Sequence, residues 1–131
     1  MLNEPQWLPP EAVVEINRAA VAITGEPHFL RDAGLLESAL ARPQNAFAYG
    51  EGDFIVLAVR LMAGIAQSHA FEQGNKRTAF IAMVQFLIAN GYDTSFDDTV
   101  TWATEVIRFV EHVSSEEDFV GTLRPYVVPR T

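Results

Sequence analysis

The chain has 131 residues, of which 49% are hydrophobic, so we expect one domain over residues 1–131 with a single buried core. It contains no cysteine, which excludes disulfides and thiolate metal sites. The net charge of −8 argues against direct nucleic-acid binding, because that affinity needs many basic contacts to phosphates. The N-terminus has no signal-peptide pattern and no apolar run is long enough to span a bilayer, so we expect a cytoplasmic protein without a membrane partner.

The first third of the chain predicts two helices. One begins at the prolines preceding Glu11 and ends at Gly25, a residue type that favours helix C-termini. Asp32 caps the second helix, and Pro43 ends it. Trp7 either packs as a staple onto the first helix or belongs to a partner surface.

The segment 43–52 is too apolar for a simple turn. It contains two glycines and two aromatic residues and alternates like a short exposed strand. One interpretation is a flap in which Phe47, Ala48 and Tyr49 offer backbone groups to a target peptide. The other is a loop with Phe47 inserted in the core.

Two central helices follow. Asp53 opens a third helix that runs to about Ser68 and is apolar on almost every side, which predicts burial. A fourth helix carries apolar residues at i, i+3 and i+4 spacing and ends at the C-cap pair Asn90 and Gly91. Both would pass through the core as a hairpin.

The last third predicts a short extended link over residues 92–96 and two more helices. Asp97 and Asp98 begin the fifth, whose inward face would contain five residues: Val100, Ala103, Val106, Ile107 and Val110. Ser114 and Glu117 have capping-box spacing for the sixth helix, and residues 126–131 would be a loose tail. The expected fold is therefore all-α, a bundle of about six helices with the short flap before the central hairpin.

The loop between the two central helices concentrates polar groups. Its composition predicts an anion site at the start of the fourth helix, where free backbone N–H groups and the helix dipole favour phosphate. Gly74 can take a positive φ, Asn75 can act as N-cap, and Lys76 and Arg77 add two cations. Those cations could instead be simply solvated, although they oppose the dipole there.

His69 and Phe71 lie in the same loop. A histidine at the end of an apolar helix is often a residue stabilised by the helix dipole, but His69 is six residues before Asn75 and can also reach a group held beside bound phosphate. There it could act as a general base in phosphoryl or nucleotidyl transfer. Phe71 is apolar in a polar loop, which predicts an anchor into the core.

Residues 69–79, HAFEQGNKRTA, resemble the signature H-x-F-x-[D/E]-[G/A]-N-[G/K]-R of the Fic/Doc family, in its Doc (death-on-curing toxin) branch. Residues 31–44, with RD-x-GLLESAL and RPQ, resemble the stretch leading into that family's flap. The resemblance implies a bacterial toxin of a toxin–antitoxin pair. It implies transfer of the γ-phosphoryl group of ATP, with Mg²⁺, to a Ser or Thr hydroxyl of a protein, with a translation elongation factor as target.

The resemblance also implies residue roles. His69 would be the general base, and phosphates would be bound by four consecutive residues: Gly74, Asn75, Lys76 and Arg77. The flap at Phe47, Ala48 and Tyr49 would align the target. Lys76 and Phe80 stand where adenylyl-transferring members have glycine and arginine, which favours the Doc branch.

Gln73 departs from the family pattern, because the acidic Mg²⁺ ligand falls on this position. A glutamine carbonyl is a weaker, uncharged ligand, and we expect neighbouring Glu72 to point elsewhere. Two alternatives to the phosphotransferase therefore stay open. One is a protein adenylyl transferase, and the other is a catalytically impaired binding module held by an antitoxin.

The chain also lacks the family's inhibitory helix pattern, which favours a separate antitoxin as partner.

Overall fold

The computed structural model describes residues 3–96 and 99–131, and it confirms the all-α prediction. Six α-helices are present in the described ranges: α1 (Pro10–Thr24), α2 (Ala33–Ala48), α3 (Phe54–Ser68), α4 (Asn75–Ala89), α5 (Thr99–Val110) and α6 (Glu116–Leu123). A 3₁₀ turn (Arg124–Tyr126) leads into the second of two short strands, β1 (Tyr92–Thr94) and β2 (Val127–Pro129). No helix in the described ranges is long and apolar enough to cross a membrane.

Helix α3 is the centre of the core, as its apolar sequence predicted. Ten of its residues are buried, and it packs between α2 and α4. The predicted caps also form: the Asp32 side chain accepts from Leu35 N, and Asp53 accepts from Ile55 N. Gly25 takes the left-handed conformation at the end of α1, with φ of 76°. These local signals therefore fix three helix ends: the end of α1 and the starts of α2 and α3.

The prediction that Pro43 ends α2 is wrong. The helix continues through Pro43 to Ala48, with Tyr49 as C-cap, so the predicted extended flap is helical. Pro43 cannot donate to the carbonyl of Ala39, but that carbonyl lies against α3, where a Cβ on Gly64 would come within 2.8 Å of its oxygen. Helix α3 therefore packs closely against α2 at the point where the proline interrupts its hydrogen bonding.

Phe47, in the segment that was predicted as a flap, packs against other aromatic rings. Phe47 packs edge-on against Trp7, with ring centroids 6.0 Å apart, and Trp7 in turn stacks on Phe86 of α4 at 5.7 Å. Trp7 thus packs against rings of both α2 and α4. The interpretation in which Phe47 inserts into the core describes this packing better than an exposed strand does.

The C-terminal third departs from prediction in three details. Residues 127–129 pair antiparallel with β1, so this part of the tail is ordered by strand pairing rather than loose. The capping box is formed by Ser115 and Asp118 rather than by Ser114 and Glu117. The predicted helix start at residues 97 and 98 lies outside the described residues, as does the side chain of Val100. Ala103 is exposed rather than inward.

Candidate active site

A cavity of about 690 Å³ opens between the loop that follows α3 and the facing sides of α4 and α5. It brings together the predicted base, the four predicted phosphate residues and Gln73. The lining residues are Ala66, His69, Glu72, Gln73, Gly74, Asn75, Lys76, Arg77, Phe80, Ile81, Ala103, Val106, Ile107 and Val110. One wall is therefore polar and comes from the loop and the first turn of α4, whereas the other is apolar and comes mainly from α5.

His69 is the C-cap of α3 and has a left-handed backbone conformation, with φ of 55°. That conformation is uncommon for a residue with a side chain, and such outliers are frequent at functional sites. The imidazole is exposed at the cavity and makes no hydrogen bond or ion pair with the residues that the structure describes. It is therefore available to accept a proton from a molecule in the cavity.

The loop after His69 is held by backbone pairing to the segment before α2. Leu30 and Phe71 form an antiparallel bridge, flanked by a 2.7 Å hydrogen bond from Arg31 N to Ala70 O. The side chain of Phe71 is 1% exposed and belongs to the hydrophobic core. Backbone bonds on one side and a buried ring on the other thus restrain the loop that carries His69.

Asn75 is not the N-cap of α4, as was predicted, but its first residue. Gly74 occupies the cap position with φ of 78°, and no side chain caps this helix end. The Asn75 amide closes the loop instead, since its Oδ1 accepts from Phe71 N at 3.1 Å and its Nδ2 donates to Phe71 O at 2.8 Å. The first backbone N–H groups of α4 consequently have no side-chain cap, and they belong to residues that line the cavity.

Arg77 is already engaged within the protein. Its guanidinium donates to Ala20 O at 3.0 Å and Thr24 Oγ1 at 2.8 Å, and it forms an ion pair with Glu26. A hydrogen bond from the Thr24 hydroxyl, followed by the one from Arg77, holds the pKa of Glu26 below its usual value. Arg77 therefore ties α4 to the C-terminal end of α1, although part of it borders the cavity.

Lys76 differs from its neighbour. Its side chain is exposed, lines the cavity, and makes no ion pair or hydrogen bond with the described part of the chain. A cation at a helix N-terminus is disfavoured by the dipole unless an anion is nearby. Lys76 is thus the basic group that is ready to meet a negatively charged molecule at this helix end.

Two residues could serve a magnesium ion. Glu72 and Gln73 both border this cavity. In the described ranges no three histidine, cysteine, aspartate or glutamate side chains form a metal cluster. Mg²⁺ bound to nucleotide phosphates commonly needs only one or two protein carboxylates, so Glu72, assisted by the Gln73 amide oxygen, fits such an ion.

The predicted flap residues are not brought to this cavity. Tyr49 is 93% exposed and borders a separate cavity of about 590 Å³ that shares no lining residue with the first. That second cavity is lined by Arg42, Asn45, Ala46, Tyr49, Gly50, Glu51 and Arg60. The segment that lies beside His69 is instead the one around Leu30.

Sequence reasoning missed several residues around the site. Asn17 contacts the loop from α1, and its signal was a polar residue within an otherwise apolar helix stripe. Glu26 carried no comparable signal, because its partner Arg77 is 51 residues away in the chain. The apolar wall of α5 was predicted as buried core, but Ile107 is 42% exposed and faces the cavity.

Comparison with known proteins identifies the family. The Fic/DOC family model matches residues 7–87. Toxin Doc from Mycolicibacterium smegmatis is 38% identical over 98 residues, which cover 72% of this chain and 74% of that protein. Protein kinase doc from Escherichia phage P1 is 30% identical over 83 residues, covering 63% of this chain and 66% of that protein. The chain belongs to the Fic/DOC family.

Proposed function

We propose that this protein is the toxin of a toxin–antitoxin pair and that it transfers the γ-phosphoryl group of ATP to a Ser or Thr hydroxyl of a protein. The names of its relatives, a Toxin Doc and a protein kinase, support both parts of the proposal. A translation elongation factor is the proposed target, because the Doc branch that the sequence resembles is understood to act on that factor.

The uncapped N-terminus of α4 is the observation on which the proposal depends. Phosphates would be bound by the backbone N–H groups of Asn75 and Arg77, with Gly74 allowing close approach. Lys76 would neutralise charge on the transferred group. The Arg77 and Asn75 side chains would act by keeping this helix end in place, since both are bonded within the protein.

His69 would act as general base. In the transfer step its imidazole accepts the proton of the attacking hydroxyl, and the hydroxyl oxygen forms a bond to the γ-phosphorus. The bond from that phosphorus to the β–γ bridging oxygen breaks, and ADP leaves. The imidazole has no hydrogen-bond partner among the described residues, which supports a role in which one of its ring nitrogens accepts this proton.

Mg²⁺ would be held by Glu72 and the amide oxygen of Gln73 together with the nucleotide phosphates. When bound, it would neutralise charge on the phosphates during transfer. Phe80 also lines the cavity and offers no charge there, which favours γ-phosphoryl transfer over the adenylyl transfer of arginine-containing relatives.

The target segment would lie along residues 29–31. In the bridge between Leu30 and Phe71, the hydrogen bonds to the loop come from the residues on either side of Leu30, Phe29 and Arg31. The N–H and C=O of Leu30 itself therefore point away from the loop. An extended peptide can pair with such an edge, which would carry its hydroxyl past His69. This position replaces the predicted flap at residues 47–49.

The antitoxin would cover the apolar wall of the cavity. Ile81 and Ile107 are 37% and 42% exposed there, and together with Phe80 they offer a surface to an apolar segment. Such a segment would block access to His69 and Lys76 from the α5 side. A separate antitoxin is consistent with the missing inhibitory helix pattern in the sequence.

The test is to incubate the purified protein with Mg²⁺, a bacterial lysate and ATP labelled at either the α- or the γ-phosphate. We expect label from the γ-phosphate, and not from the α-phosphate, to appear on one protein. The His69→Ala variant is the control and should transfer nothing. Label from the α-phosphate would instead make the protein an adenylyl transferase, and no transfer from either position would leave the binding module.

A further inference from the structure

Helix α1 carries a buried amide directly behind the loop. Asn17 is 0% exposed, although its neighbours on the inner face of α1 are apolar. A buried amide is costly unless its hydrogen-bonding groups find partners, so its contacts indicate what it is for. The predicted phosphate site does not include it.

Every polar atom of the Asn17 side chain is bonded. Nδ2 donates to Gln73 O at 2.8 Å and to Thr78 Oγ1 at 3.0 Å, and Oδ1 lies 2.7 Å from His28 Nδ1. Since the Gln73 carbonyl can only accept, Nδ2 must face the loop and Oδ1 must face His28. His28 Nδ1 therefore carries the hydrogen, and its ring packs near Phe71 with centroids 6.2 Å apart.

The contact with Gln73 lies one residue before the helix cap. A Cβ on Gly74 would meet Val21 Cγ1 at 2.8 Å and Asn17 Nδ2 at 3.3 Å, so the loop turns against α1 without spare room. Its φ of 78° is one that glycine adopts without strain. The direction of the first N–H groups of α4 is set at this turn.

We propose that Asn17 is a positioning residue, which fixes the Gln73–Gly74 turn so that the N-terminus of α4 presents its N–H groups to bound phosphate. The proposal rests on the proposed nucleotide site and adds to it a residue on another helix. Asn17 touches no substrate. It acts by holding the Gln73 carbonyl, and His28 acts by orienting the Asn17 amide.

The test compares two substitutions that each remove one hydrogen bond of the Asn17 amide, either the bond to Gln73 or the bond to Thr78. Asn17→Asp keeps an oxygen for His28 and for the Thr78 hydroxyl but loses the donor to Gln73. Thr78→Val, the matched control, removes the bond to Asn17 and leaves the bond to Gln73 intact. Asn17→Ala is a second loop-contact variant if Asn17→Asp does not fold.

Two measurements are made well below each unfolding temperature. The first is amide hydrogen exchange at Phe71 and Glu72 in the nucleotide-free protein, because these two N–H groups next to the turn donate to Asn75 Oδ1 and to Phe29 O. It should become about tenfold faster in the Asn17 variants than in Thr78→Val. The second is the dissociation constant of a non-hydrolysable ATP analogue with Mg²⁺. It should rise about tenfold in the Asn17 variants and change by less than about twofold in Thr78→Val.

Equal exchange at Phe71 and Glu72 in the Asn17 and Thr78 variants would overturn the positioning role. Faster exchange with unchanged affinity for the analogue would also overturn it, because the turn would then not matter to the phosphate site. If the wild-type protein binds no ATP analogue, the proposed function fails. The exchange measurement then still decides whether Asn17 sets the turn.

Discussion

The polar and apolar walls of the cavity use their side chains differently. On the polar wall, Asn75 and Arg77 are bonded to the protein itself, and the loop is paired with the segment around Leu30. On the apolar wall, the side chains of Ile81 and Ile107 remain partly exposed. The signature residues of the polar wall therefore form many of their hydrogen bonds within the protein. The residues of the apolar wall leave surface exposed that a partner can contact.

This difference assigns separate tasks to the two walls. A restrained loop keeps donors in the geometry that an anion needs, so little reorganisation is required when phosphate arrives. A partly exposed apolar wall gives binding area without defining chemistry. We therefore expect substitutions on the polar wall to change transfer, and substitutions on the apolar wall to change association with a partner.

The largest effect should come from His69→Ala. Removal of a general base lowers transfer by about a hundredfold to ten-thousandfold, and growth inhibition in cells should disappear with it. The side chain is exposed and unbonded to described residues, so the unfolding temperature should stay unchanged. Transfer of label at the wild-type rate by this variant would remove His69 from the mechanism.

The apolar wall is tested by Ile107→Asp. A charge at this exposed position should weaken antitoxin binding by about a hundredfold, because a buried unpaired carboxylate is costly at an interface. Transfer should continue, so the variant stays toxic when the antitoxin is co-expressed. Val113→Asp is the control, because Val113 is exposed but does not line the cavity. Rescue of both variants by the antitoxin would place its binding surface elsewhere.

Substitution of the adjacent cations Lys76 and Arg77 should have different effects, one on ATP affinity and the other on stability. Lys76→Ala should weaken ATP binding by about tenfold without changing the unfolding temperature, because its ammonium has no described protein partner. Arg77→Ala should lower the free energy of unfolding by about 1–2 kcal/mol, since it loses bonds to Ala20, Thr24 and Glu26. Calorimetry and thermal melts of both variants check this. Equal loss of affinity in the two would mean that Arg77 leaves Glu26 to bind phosphate.

The metal position should show an intermediate effect. Gln73→Asp adds a carboxylate to the cavity, so we expect Mg²⁺-dependent transfer to rise by several-fold, on the order of what one additional charged ligand supplies. Glu72→Gln should lower it and raise the Mg²⁺ concentration needed for half-maximal transfer. An unchanged or lower rate in Gln73→Asp would mean that position 73 does not limit metal use.

Sequence patterns predicted those parts of the molecule whose causes are local. The apolar run of α3, the cap at Asp53 and the left-handed Gly25 depend on neighbours within a few residues, and all three are confirmed. The prediction from Pro43 was wrong because α2 continues through it while packed closely against Gly64 of α3, a long-range contact that no local pattern contains.

The candidate site divides in the same way. The motif predicted which residues lie around one cavity, from His69 to Arg77. It could not predict that Arg77 would be bonded to α1, or that Asn17 would hold Gln73, because both contacts join residues more than fifty positions apart. The apolar wall was missed because helix periodicity does not tell which face of α5 meets another helix and which borders a cavity.

The smallest predicted effect concerns the pair that restrains the polar wall. The Thr24 hydroxyl and then Arg77 lower the pKa of Glu26, so its contribution to stability is present above the usual glutamate pKa of roughly 4.3 and is lost as the pH falls through the lower, folded-state value. At pH 7 Glu26→Gln should therefore unfold at a slightly lower temperature than wild type, and the difference should vanish in acid.

Glu15→Gln is the matched control for this last measurement. Glu15 pairs with Arg18 on the surface of α1, where both side chains are more than half exposed, so its removal should change the unfolding temperature at neither pH. Asp53 and Asp118 also have lowered pKa values, but they are present in every variant and cancel in the comparison. A gap between wild type and Glu26→Gln that persists at pH 3 would show that the shape of the Glu26 side chain, and not its charge, holds Arg77 on the polar wall.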